Sequence, residues 1–281
     1  MVIYSVCLLA IIVTLYPFIY VFSMSISDPK AVAAGRVLLF PVGFSLEAYR
    51  QVTSDAAIWR SFYNSIWYTV VATTASVICT AMMAYPLSRP QFFARRFINV
   101  MVLITMFFGG GLIPFYQVVN AMGLIGSRMA LVVPYLIGTW NLILCRTFFM
   151  SLPEEMYEAA KIDGASEFDI ILKITVPLSR QIIAVLAIFY GVANWNGWFA
   201  AMLFLRDADL YPLQIYLRRI LIQANTADAM QSWSQFANFN FLSLLQIKYA
   251  VIIVGSLPMI LVYPFLQKYF EKGIMLGSLK G

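Results

Sequence analysis

The sequence contains no histidine, which rules out any His-ligated metal or haem. Charge is scarce as well: Asp, Glu, Lys and Arg make up 11% of the 281 residues, where an ordinary soluble domain carries about a quarter. The phosphate-cradling pattern Gly-x-x-x-x-Gly-Lys-Ser/Thr is absent, so any nucleotide is handled by another chain. Only three cysteines occur, Cys7, Cys79 and Cys145. Each sits inside an apolar run and reads as a small buried hydrophobe, neither a disulfide framework nor a metal ligand. No carboxylate pair is expected at catalytic spacing inside a cavity, so no catalytic residue is assigned and an enzyme is not expected.

What is present is apolar. Hydrophobic residues make up 62% of the chain and the mean hydropathy is +0.81, the composition of a membrane protein. Spans of roughly 20 residues each, with loops, make room for about six helices, and the fold class expected is all-α, a single polytopic transmembrane domain over residues 1–281. The net charge of +6 comes from Lys and Arg scattered between apolar runs; without a basic stripe it gives no nucleic-acid surface.

The first apolar run, 1–25, lacks the basic n-region and short h-region of a cleavable signal, so it reads as a first span. With nothing cytoplasmic ahead of it, the natural chain begins earlier or starts abruptly. Residues 28–60 carry charges with Pro29, Gly35, Pro41 and Gly43 and form an extracytoplasmic loop. A second span, 62–85, ends at Pro86 before a short basic turn with Arg89, Arg95 and Arg96. A third begins near 97 and breaks or ends at Gly109-Gly110-Gly111 and Pro114. That break is either an exit from the bilayer or backbone facing a cavity. A fourth span covers 129–149, a fifth 178–205 and a sixth 249–266. The loop 206–247 is extracytoplasmic, and within it 213–222 places apolar residues at helical spacing, as in a helix lying on the outer surface. The tail 267–281 holds Lys268, Lys272 and Lys280. The positive-inside rule puts the basic turn, the tail and both termini in the cytoplasm.

Residues 151–180 differ in kind, because Glu154, Glu155, Glu158, Lys161, Asp163, Glu167, Asp169, Lys173 and Arg180 crowd one stretch. At about 2.5–3.5 kcal/mol for each Asp, Lys or Arg at a membrane centre, this segment stands in water. Ser151 with Glu154, and Ser166 with Asp169, have capping-box spacing. The pattern predicts one helix over 153–162, a turn at Asp163-Gly164 and a second helix over 167–175 closed by Pro177.

Here a resemblance becomes specific. Glu158-Ala159-Ala160, three residues, Gly164, nine residues, Ile174, one residue, then Val176-Pro177 resembles the EAA loop of ABC importer permeases, with Val in place of the usual Leu before the proline. Asp163 and Ala165 match its common Asp-Gly-Ala form. Leu15-Tyr16-Pro17-Phe18, the Gly109 to Pro114 element, Asn194-Trp195-Asn196 and the end from Lys272 to Gly281 extend the likeness to the sugar-permease branch of maltose-type importers. The Gly-Gly-Leu-Ile-Pro element resembles a subgroup handling complex or acidic oligosaccharides, alginate among them.

The resemblance implies the type I ABC permease fold and a multi-pass protein of the bacterial inner membrane. It implies a binding-protein-dependent assembly: a related second permease, an ATPase dimer and an extracytoplasmic solute-binding protein, importing an oligosaccharide. ATP and Mg belong to the ATPase partners, and this chain binds no cofactor. Glu158, Ala159, Ala160, Asp163, Gly164 and Ala165 are the implied ATPase-coupling residues, and Met275, Gly277 and Lys280 of the tail reach the ATPase interface.

Asn194, Trp195, Asn196 and Trp198 place amides and indoles in the fifth span, where they either line the translocation pathway or form an interfacial aromatic belt with helix-binding amides. Two other functions stay open: an ion-coupled secondary transporter, against which the near absence of ionisable residues within the spans counts, and an ABC permease for a solute other than sugar.

Overall fold

The computed structural model describes residues 2–223 and 241–278. Among these, helices dominate and no strand forms; one isolated antiparallel bridge joins Ser27 and Phe44. The helices are α1 (Val2–Ser25), α2 (Pro29–Ala33), α3 (Glu47–Ser54), α4 (Ala56–Ser88), α5 (Arg95–Phe107), α6 (Leu112–Ala121), α7 (Thr139–Met150), α8 (Glu154–Ile162), α9 (Glu167–Asp169), α10 (Val176–Leu178), α11 (Arg180–Asn196), α12 (Phe199–Phe204), α13 (Leu213–Gln223) and α14 (Phe241–Ser278). The chain divides into two compact units, Met1–Asn64 with Tyr211–Leu261 and Ser65–Leu210 with Val262–Gly281.

Among the described residues, three helices are long and apolar enough to cross a bilayer: Ile3–Ser25, Ala56–Ser88 and Leu245–Val262. Two bent pairs raise the number to five if each is one span: Arg128–Tyr135 with Thr139–Met150, bent by 47°, and Glu167–Leu178 with Arg180–Asn196, bent by 82°. Six were expected. The stretch expected as the third span resolves into α5 and α6, of 13 and 10 residues, on either side of the break expected at the glycines. At 1.5 Å per residue neither reaches across a hydrocarbon core of about 30 Å. The chain passes between them at Gly111, whose φ of +84° only glycine adopts freely.

In the first unit, α1 leaves its side chains exposed from Ile3 as far as Ile19, as an apolar helix facing lipid does. Its end is tied down by Gln246, fully buried, whose Nε2 donates to the carbonyls of Ser25 (3.1 Å), Ser27 (2.7 Å) and Ser45 (3.3 Å). The stretch 28–60, expected as a loop, contains α2 and α3 and the first turn of α4. Helix α13 forms where the periodicity placed it, with Arg219 and Ile222 exposed on one face and its apolar face covered by protein. Leu213, Ile215, Leu217 and Ile220 are buried, the Tyr216 hydroxyl donates to Asp55 Oδ2 at 2.5 Å, and Leu217 sits over Gly255, where a Cβ would collide with it. Apolar spacing alone does not tell a membrane-surface face from a face covered by protein. The rest of 206–247, residues 224–240, lies outside the described residues.

The second unit holds a core of buried apolar residues. Ala81, Ala84, Leu87, Leu142, Phe149, Ile170, Ile182 and Leu186 bring together α4, α7, α11 and the segment between the last two. Small residues at 81 and 84 let the helices approach closely. Polar links stitch the same helices: Asn194 Nδ2 donates to Thr73 Oγ1 (3.2 Å), Tyr190 Oη pairs with Thr80 Oγ1 (2.7 Å), and Arg146 Nε donates to the Leu87 carbonyl (3.0 Å). Pro86 was expected to end the second span, yet α4 continues to Ser88. A proline in the last turn costs the helix one donor without stopping the residues that follow.

Candidate functional site

The segment 151–180 leaves α7 at Met150. Ser151 is already the C-cap of that helix, and its Oγ donates to the Phe148 carbonyl at 2.7 Å, so the expected capping box with Glu154 does not form. Pro153, extended at φ −59° and ψ 132°, stands at the N-cap of α8 instead. Its ring presets the backbone that a capping side chain otherwise secures. Helix α8 carries Glu154 and Glu155 in its first turn and Lys161 in its last, charges that suit both ends of the helix dipole.

The turn is a Schellman motif. Gly164 takes φ +77°, the Ala165 amide donates to the Ala160 carbonyl at 3.0 Å, and the Gly164 amide donates to that of Lys161 at 3.1 Å. A capping box follows where spacing placed it: the Asp169 amide donates to Ser166 Oγ at 3.2 Å and the Ser166 amide to Asp169 Oδ2 at 3.3 Å. Lys173 Nζ pairs with Asp169 at 2.6 Å. That pairing, with the hydrogen bonds from Ser166, pulls the Asp169 carboxyl down to about 2.

The second helix does not close at Pro177. It widens into a π-helix over Ile170–Thr175 and continues through Val176, at φ −64° and ψ −47°, to Leu178. A proline ring strikes the carbonyl four residues back, here Lys173, and the wider π turn relieves that contact, so Val176 is not driven from the helical region. Ser179 then turns the chain into α11.

The elbow so formed has two faces. Tyr157, Ala160, Ile170 and Thr175 are buried against the core of the unit. Glu158, Ala159, Asp163 and Gly164 are exposed, and beside them stand Ile162 (86% exposed), Phe168 (66%) and Leu172 (65%). Of the six residues singled out from the motif, four therefore face outward. Ala160 turns into the protein, and Ala165 is half-buried against the same core. Large apolar side chains thus stand in the open on a strongly charged segment.

Sequence reasoning missed the residues that hold the elbow in place. Arg89 was legible only as a topology signal in the basic turn, yet it is 9% exposed and its guanidinium carbon lies 3.4 Å from the centroid of the Tyr157 ring. Its Nη1 approaches Glu154 Oε2 at 3.5 Å and its Nη2 the Phe149 carbonyl at 3.4 Å. Nearby the Tyr85 hydroxyl donates to Glu167 Oε2 at 2.6 Å, and Lys161 pairs with the other oxygen at 3.2 Å. The Tyr85 bond, then Lys161 and Arg89, hold the Glu167 carboxyl below its ordinary range against the opposing effect of burial. A cavity of about 430 Å³ opens beside these groups, lined also by Met82, Phe92 and Ile171. No local pattern announces such contacts, because Arg89 and Tyr157 are far apart in the chain.

The four residues of the fifth span do not converge. Asn194 is engaged with Thr73, Trp195 is buried, Asn196 is exposed with its amide donating to the Val192 carbonyl (3.0 Å), and Trp198 lies edge-on to Phe199 beyond the end of α11. Met275 and Gly277 fall within α14, which runs through the stretch expected as a tail, and Lys280 lies outside the described residues. No cluster of metal-ligating side chains occurs among the described residues.

Residues 72–276 match the family described as binding-protein-dependent transport system inner membrane component. The chain is 39% identical over 282 residues to the polygalacturonan/rhamnogalacturonan transport system permease protein YtcP of Bacillus subtilis (strain 168), covering 100% of this chain and 98% of that one. It is 40% identical over 273 residues to protein LplC of the same organism, covering 96% and 90%. Among solved structures, a bacterial ABC transporter involved in the import of the acidic polysaccharide alginate aligns with a TM-score of 0.87 at 36% identity, covering 95% of each chain.

Proposed function

The chain belongs to the family of binding-protein-dependent transport system inner membrane components, and from that premise we propose that residues 151–180 are the element through which ATP hydrolysis in a partner drives its movement. It is a transmembrane permease of a sugar ABC importer, a transport component and not an enzyme. ATP and Mg are bound by an ATPase dimer that grips the elbow on the cytoplasmic side. A related second permease completes the pathway, and an extracytoplasmic binding protein delivers the solute. Both termini lie in the cytoplasm, and the end of the chain, with Met275, Gly277 and Lys280, reaches toward the ATPases.

One observation carries this reading: the outer face of the elbow pairs exposed Ile162, Phe168 and Leu172 with the acids Glu158 and Asp163 around a rigid glycine-capped turn. Such a face suits a partner's apolar cleft with a basic rim. Ala159, small and exposed, lets that partner's backbone come close, while the buried face conveys the push inward. ATPase closure then biases a two-state equilibrium of the permease through contacts that differ between the states.

The solute proposed is an oligosaccharide with acidic units, which the names of the relatives for polygalacturonan, rhamnogalacturonan and alginate support. Of Asn194, Trp195, Asn196 and Trp198, the exposed Asn196 is the pathway group it meets first. Proteoliposomes holding the full assembly test the reading: uptake of uronate oligomers should require ATP and the binding protein. Uptake driven by an ion gradient alone, without ATPase subunits, overturns it.

A further inference from the structure

We propose that Arg89 is a positioning residue that couples the end of α4 to the elbow, so that the second span is driven along with the two spans to which the elbow is covalently joined. The proposal rests on the elbow being the ATPase-coupling element. The chain connects the elbow directly only to α7 and α11. Helix α4 ends at Ser88, and Arg89 is the next residue.

An arginine in a short turn at a membrane edge ordinarily extends its guanidinium into water. Arg89 instead is nearly buried, its Nε lacks an acceptor, and its two other polar contacts are long, at 3.4 and 3.5 Å. A buried cation is costly unless its surroundings compensate it. The closest compensation is the Tyr157 face at 3.4 Å, with the Tyr85 ring at 5.2 Å on α4 itself. The three groups Arg89 touches beyond its own helix are the end of α7 (Phe149), the first residue of α8 (Glu154) and the buried face of α8 (Tyr157). Its place therefore depends on where α8 lies. Tyr157 stands on the side of α8 opposite the exposed Ala159, so a push on the outer face crosses one helix and meets a flat, charged plate fixed to α4.

The test is made on the complete importer in proteoliposomes, reading both solute-stimulated ATP hydrolysis and solute imported per ATP. Arg89→Gln should keep hydrolysing ATP while import per ATP falls about 10-fold. Tyr157→Leu should behave alike, Tyr157→Phe should stay close to the parent because the ring face remains, and Arg89→Lys should fall between, keeping the charge but losing the planar contact. A role in stability alone would lower the assembled amount and leave the ratio untouched. Should Arg89→Gln fail to assemble, Arg89→Lys and the Tyr157 pair decide by the same ratio. An unchanged ratio in Arg89→Lys and Tyr157→Leu overturns the proposal, as does hydrolysis falling in step with import. A crosslink from Phe168→Cys on the parent chain to the ATPase separates the two readings. An unchanged ratio with the crosslink present defeats only the role of Arg89, whereas no crosslink defeats the coupling elbow and this proposal with it.

Discussion

The amide of Ala165 donates to the carbonyl of Ala160 at 3.0 Å, across the left-handed Gly164. This bond fixes the angle at which the chain leaves α8, and with it the shape of the elbow's exposed face. Because Ala160 is buried and Ala165 packs against the same core, the turn is anchored on its inner side while Asp163 and Gly164 remain in the open.

Gly164→Ala meets no atom within 4 Å of the added Cβ, so its cost is the left-handed backbone alone, about 1–2 kcal/mol. The variant should assemble with a lower Tm and still couple. Gly164→Pro cannot adopt φ +77° and loses the amide bonded to Lys161. It should insert in the membrane and lose solute-stimulated ATP hydrolysis in the reconstituted importer. Normal stimulation in that variant would remove the docking role of the turn.

Neighbouring alanines should answer differently to the same change. Ala159 is exposed, so Ala159→Leu should leave the thermal unfolding of the permease unchanged and weaken copurification of the ATPase. Ala160 is 7% exposed within the core, so Ala160→Leu should overpack it and cost about 1–3 kcal/mol of stability. Copurification and Tm, measured on both variants, check the pair.

Tyr190 holds the break before α7. Its Oη accepts the Gly138 amide at 2.9 Å and pairs with Thr80 at 2.7 Å. Tyr190→Phe strands both groups and should cost about 1–3 kcal/mol, seen as a lower Tm in detergent. Gly138→Ala should be tolerated, since its Cβ would meet Asn141 and Tyr190 at 3.5 Å, ordinary van der Waals distances.

Acidification tests the elbow's carboxylates. Glu167 is held below its ordinary value of 4.5, chiefly by the Tyr85 hydroxyl, and Asp169 is lowered from 3.8 to about 2, chiefly by Lys173. Both are depressed in the folded state, so the unfolded chain binds more protons, and their stabilisation is complete above the ordinary values and lost only as pH falls through the folded ones. Rate-corrected hydrogen exchange over 151–180 should therefore be the same at about pH 7 and about pH 5.5, with protection falling only below about pH 4.5. Loss of protection between the first two would mean that these carboxylates are not held as described.

Composition and local spacing determined a good deal by themselves. Apolar runs of membrane length, the crowd of charges at 151–180, the glycine turn and the Ser166 capping box all depend on residues within a few positions of one another, and such short-range physics acts the same in any surroundings. Pro153, which displaced the Ser151 box, and the π turn that carried the helix past Pro177 were legible as residues but not as outcomes, because each is a competition between two local solutions. Only the tertiary structure decided that Ala160 faces inward while Ala159 faces outward, that Arg89 is drawn under the elbow onto Tyr157, and that Tyr190 holds Gly138. These contacts join segments tens of residues apart, and they form because burying a charge, an amide or a hydroxyl away from water requires a partner, whichever part of the chain supplies it.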